Sequence, residues 1–164
     1  MVANPNRPRR VFTVEEANAA LPLVRAIVTD LAEVTRELLD RRQRVSLLIE
    51  GRYADADDPY RAELLQVEQR LEEDGRCVRQ YVEELLQLGV EPTSGPEGLV
   101  DFPSMMDGRP VYLCWKLGEP EVLHWHERDA GFRERQPLPA DAVAAPDQRP
   151  DSGGKSVGPV ATTQ

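Results

Sequence analysis

The chain has 164 residues, enough for one domain with short appendages. Charged residues make up 30% and hydrophobic residues 40%, and 29 Asp and Glu outweigh 20 Lys and Arg for a net charge of −9. That balance argues against a nucleic-acid partner, because phosphate contacts need clustered Lys and Arg. No apolar run approaches the roughly 20 residues of a membrane span, so no membrane association is expected either.

Cys77 and Cys114 are too few for a disulfide framework. The opening MVANPNRPRR has basic residues but no apolar core of a signal peptide. Both observations lead to an expectation of a cytoplasmic location. Residues 1–11 read as a flexible basic arm carrying Arg7, Arg9 and Arg10.

Thr13-Val14-Glu15-Glu16 is a capping box that starts a helix, with Phe12 at the staple position before it. The acidic pair also suits the positive end of the helix dipole. Pro22 lacks an N–H and predicts a kink or short break over Asn18–Leu21. Beyond it Val24, Ile27, Leu31, Val34, Leu38, Arg41, Val45 and Leu48 recur by threes and fours, a heptad seam with one polar member. Gly51 and the polar run to Asp58 end that helix, and Asp58-Pro59 caps a second one. The second seam is Tyr60, Leu64, Val67, Leu71, Asp74, Val78, Tyr81, Leu85 and Leu88, closed by Gly89.

Laid antiparallel with Leu48 beside Val67, the seams bring Leu38 to Val78 and Leu31 to Leu85, and Arg41 falls opposite Asp74. The single polar residue of each seam meets the other, and an unpaired charge buried there would cost several kcal/mol. A long antiparallel helical hairpin, coiled-coil-like and about 50 Å in its first arm, is the expected scaffold. Its apolar stripe is wide only at the open end, where Leu21, Val28, Val82 and Leu86 flank the seams. A narrow two-helix seam is marginal alone, so a homodimer is expected, and Gly75 suggests close approach of another helix.

Glu91–Glu97 reads as a linker. Three strands follow: Leu99–Phe102, Val111–Lys116 and Val122–Glu127, with turns at Asp107-Gly108 and Gly118-Glu119-Pro120. The expected fold class is α+β, the hairpin followed by a small three-stranded antiparallel β-meander, one domain over residues 12–138. Alternation puts Val122, His124 and His126 on one face of the last strand and Leu123, Trp125 and Glu127 on the other. Residues 139–164 are rich in Pro, Ala, Asp, Gly and Ser and read as a disordered C-terminal tail.

FTVEEANAALPLV at Phe12–Val24, GLVDFPS at Gly98–Ser104, LCWKLGE at Leu113–Glu119 and HWHERDAGFRERQP at His124–Pro137 together carry a family resemblance. Over Phe12–Leu138 the chain resembles a bacterial family catalogued as domain of unknown function 2203. The resemblance implies a small prokaryotic cytoplasmic protein and brings no activity with it.

Three functional readings follow from the residues. The first is a non-enzymatic interaction or structural protein acting through the hairpin on a second copy or another protein; no phosphate loop, GxSxG, HExxH or CxxC opposes it. The second is a metal or small-ligand site on the sheet. His124 and His126 share one face there and suit a divalent ion such as zinc, with Cys114, Glu119 or Asp101 as further ligands. The third is acid–base chemistry by His126, Glu127, Asp101 and Arg135. Trp115 and Trp125 are read first as core aromatics and second as walls of a ligand pocket.

Overall fold

A computed structural model of the chain describes residues 10–50 and 61–140. The expected arm up to Pro8-Arg9, the interhelical loop with its Asp58-Pro59 cap, and most of the expected tail lie outside the described residues. Within them, helices α1 (Val14–Glu50) and α2 (Arg61–Leu88) precede a sheet of strands β1 (Glu91–Ser94), β2 (Leu99–Met106), β3 (Arg109–Lys116), β4 (His124–Glu127) and β5 (Gln136–Pro137). The fold class is α+β. No described helix is long and apolar enough to cross a membrane.

The capping box forms as its residues dictate. Glu16 N–H donates to Thr13 Oγ1 at 3.1 Å and Thr13 N–H to Glu16 Oε2 at 3.0 Å. The helix then runs through Pro22, so of the expected kink or short break the break does not form. Pro22 removes only the bond to the Asn18 carbonyl, while buried Ala17, Leu21 and Val24 hold both sides of it against the core. At the other end α2 closes with a Schellman pair, Val90 N–H to Leu85 O at 2.9 Å and Gly89 N–H to Leu86 O at 3.1 Å.

The helices form a hairpin in the expected register, and Arg41 Nη1 donates to Asp74 Oδ2. The pair is less buried than the seam pattern implies: the side chains are 38% and 22% exposed, and Arg41 also reaches Glu37 at 3.2 Å. Water and Glu37 therefore share the solvation of Arg41, which lowers the expected cost of losing its partner.

The sheet has five strands, not three, in the order β1-β2-β3-β4-β5, every neighbouring pair antiparallel. Three particulars explain the difference. The presumed linker supplies β1, because polar EPTS finds a ladder along Leu99–Asp101. Strand β2 continues through Pro103 because β1 pairs no further than Asp101. The missing N–H of Pro103 thus points where no strand lies, and its carbonyl accepts the Phe12 N–H at 2.8 Å. Strand β5 is two residues that pair with His124 and Trp125, anchored by Leu138 N–H on Leu123 O at 2.8 Å.

Strand β4 is also shorter than expected. Val122 leaves the alternation and turns into the core, its N–H donating to Asn18 Oδ1 at 2.8 Å. The inner sheet face then carries Val100, Phe102, Leu113, Trp115 and Trp125 onto Phe12, Leu21, Val24, Val28, Leu31 and Leu85 at the open end of the hairpin. Asp107 and Gly108, both at positive φ, make the two-residue turn between β2 and β3.

Gly98 sits at φ +64 where helix and sheet meet, and an added Cβ would lie 2.6 Å from Leu117 Cβ and 3.2 Å from Val28 Cγ1. Gly98→Ala is predicted to lower unfolding free energy by at least about 1–2 kcal/mol in urea denaturation. Asp74→Ala, by contrast, should cost no more than about 1 kcal/mol in the same assay.

Candidate functional site

Two-residue alternation decides what the outer sheet face carries. With Val100, Phe102, Leu113 and Trp115 turned inward, Asp101, Tyr112 and Cys114 must turn outward. In-register pairing then places Asp101 opposite Cys114, Cys114 opposite His124, and Tyr112 opposite His126. Residues far apart in sequence thereby meet on one surface.

The centre of that surface is buried. Asp101, Cys114 and His126 are 5%, 1% and 4% exposed, and one ligand atom from each lies within 4.8 Å of the others. His126 Nδ1 is 2.8 Å from the Glu127 carbonyl oxygen, and a carbonyl only accepts. The network therefore assigns the ring proton to Nδ1. His126 Nε2 faces Asp101 Oδ1 at 3.2 Å. The ring is thus held in the tautomer and orientation typical of histidine ligands, with Nε2 directed into the cluster.

Burial pushes the Asp101 carboxyl above its ordinary range, with His126 opposing that shift. Burial likewise pushes the Cys114 thiol up to about 12, reinforced by Asp101 and opposed by Arg135. Burial thus disfavours the charged form of both acids, and a bound cation would reverse that preference.

A second group borders the first. Glu119 Oε2 accepts the Lys116 N–H at 3.0 Å and Glu119 Oε1 lies 2.7 Å from Arg135 Nη2. His124 Nδ1 is 3.9 Å from the same Oε1, too long for a hydrogen bond. The Arg135 guanidinium stacks 4.2 Å from the Phe132 ring centroid, and Lys116 Nζ approaches that ring at 5.3 Å.

The structure separates the candidate residues into these groups. His126, Asp101 and Cys114 converge, whereas His124 and Glu119 stay outside that cluster. The strand histidines share a face, and His126 is the one whose ring nitrogen lies with the Asp101 and Cys114 ligand atoms. Glu127 contributes its carbonyl to His126, while its carboxylate pairs with Arg109 at 3.3 Å. Trp115 and Trp125 lie on the inner face, so neither walls the polar cluster; Trp115 is fully buried with Nε1–H on Glu119 O at 3.0 Å.

Sequence reading missed Tyr112 and Glu91. The Tyr112 ring lies 5.6 Å from the His126 ring, and its hydroxyl donates to Glu91 Oε2 at 3.0 Å. Tyr112 was available from its i−2 spacing to Cys114. Glu91 was not, because its strand reads as a linker.

This fold and site define a two-layer α+β protein with a buried Asp–Cys–His cluster. The family model described as an uncharacterized conserved protein, DUF2203, matches residues 10–138, and the chain belongs to that family. No curated protein and no solved structure matches the chain.

Cys77 is exposed and Cys114 buried. Brief treatment of the native protein with iodoacetamide is therefore predicted to modify Cys77 alone, Cys114 reacting only after denaturation, as read by peptide mass spectrometry. Asp101→Asn should leave the metal-free protein at least as stable near neutral pH. The raised carboxyl contributes stability at low pH that is lost as pH rises through its folded value, and an amide has no charge to bury. Melting curves from pH 4 to 8 would test this.

Proposed function

We propose that the protein binds a divalent transition-metal ion, zinc fitting best, through Asp101, Cys114 and His126. The observation that supports this reading is convergence: three buried side chains from three adjacent strands place their ligand atoms within 4.8 Å of one another. Ligand atoms around tetrahedral zinc are about 3.3–3.8 Å apart given its bond lengths, so closure asks for about 1.5 Å of movement at most. A thiolate, an imidazole and a carboxylate together suit a borderline-soft ion better than Mg²⁺ or Ca²⁺. Three protein ligands leave a fourth position for a small molecule, the arrangement of reactive rather than closed structural zinc sites.

Protein purified without a histidine tag and dialysed against zinc is expected to carry one ion per chain. Cys114→Ser and His126→Ala, each still folded by circular dichroism, should lose at least about tenfold in zinc affinity. Unchanged affinity in both variants would remove the reading.

We also propose that the hairpin associates with a second copy of the chain. Leu39 and Leu65 are exposed on its sides, and Arg42, Glu68, Leu71, Gly75 and Arg79 line a groove between the helices that side chains of another hairpin could fill. Sedimentation at micromolar concentration should give twice the chain mass, and Gly75→Glu should shift it toward one; a strict monomer would contradict the proposal.

A further inference from the structure

We infer that the group beside the cluster is a binding site for a small oxyanion, a carboxylate or a phosphate, whose oxygens bridge Arg135, His124 and the metal's fourth position. The starting point is an unmet hydrogen-bonding demand. Among the described residues, Arg135 Nη1 and His124 Nδ1 are buried side-chain nitrogens without a hydrogen-bond partner. Arginine can only donate, so Nη1 demands an acceptor. Glu119 does not supply it: its Oε1 is engaged by Arg135 Nη2, and its Oε2 by the Lys116 N–H. His124 Nδ1 stands 3.9 Å from that same Oε1, so both unpartnered nitrogens border one carboxylate. A neutral imidazole with its proton on Nδ1 can donate alongside the guanidinium. Two converging donors of this kind fit one oxygen or an oxygen pair.

Charge and position agree. Arg135 and Lys116 both approach the Phe132 ring, and with Glu119 they leave one net positive charge for an anion. The side chains of His124 and Arg135 are 29% and 20% exposed, so the subsite lies just beneath the surface, and an anion reaches the buried Nη1 and Nδ1 by a small side-chain displacement at the rim. Cys114 pairs across the ladder with both His124 and Asp101, which makes this subsite the immediate neighbour of the cluster. The bridging oxygen rests on the zinc reading; the subsite itself does not.

The test is calorimetric titration of inorganic phosphate, and separately of acetate, into the wild-type chain with and without zinc. At least one anion should bind, about tenfold more tightly with zinc present, and Arg135→Gln should weaken it about tenfold. Arg135→Lys, which keeps the charge beside Glu119, should also weaken binding and serves if the Gln variant does not fold. Zinc binding without binding of either anion would overturn the inference and leave the zinc reading intact. So would anion binding that both Arg135 variants leave unchanged. Anion binding that depends on Arg135 in a chain that takes up no zinc would support the subsite and sink the zinc reading.

Discussion

The packing of Phe102, Leu113 and Trp115 onto the open end of the hairpin sets the direction of every other side chain in the sheet. A strand alternates strictly, so turning these residues inward turns Asp101, Tyr112 and Cys114 outward. A one-residue slip of β3 would bury Cys114 and Tyr112 against α1 and expose Trp115. The core thus acts as the jig for the cluster, and Gly98, pressed between Leu117 and Val28, is where the tolerance is smallest.

The outer face is energetically contrary to the inner one. Burying a carboxyl and a thiol side by side disfavours their charged forms, and each such group costs about 1–3 kcal/mol unless hydrogen bonds compensate. His126 compensates Asp101 in part, and the Glu127 carbonyl fixes His126. Cys114 is supported by Asp101 on one side and by the Arg135 guanidinium on the other. A fold optimised for stability alone would place apolar residues at these positions, and that cost is what supports the proposed binding role of the cluster. Its neighbours Glu119, Arg135 and Phe132 interlock at its rim, which positions the guanidinium without neutralising all of its donors.

Much of this was legible in the residues themselves. The hairpin and its register followed from two seams in which Arg41 and Asp74 stood out, and the helix start followed from Thr13 and Glu16. The histidine face of β4 followed from alternation. What was hidden depended on tertiary partners. EPTS became a strand only because β2 offered an edge, and Pro103 stayed within β2 only because that edge ended. Val122 left the alternation because Asn18, on a helix about a hundred residues earlier, holds its N–H. The ligand grouping was hidden for the same reason. His126 joins Asp101 and Cys114, rather than His124, through the pairing of three strands, which no local spacing encodes.

The most direct test of the central claim is zinc-edge X-ray absorption of the zinc-loaded, tag-free protein. The arrangement of Asp101, Cys114 and His126 predicts one sulfur scatterer at about 2.3 Å and nitrogen or oxygen scatterers at about 2.0–2.1 Å, with the imidazole signature of one histidine. A shell of oxygen and nitrogen alone, or two sulfurs from chains bridged at exposed Cys77, would contradict it.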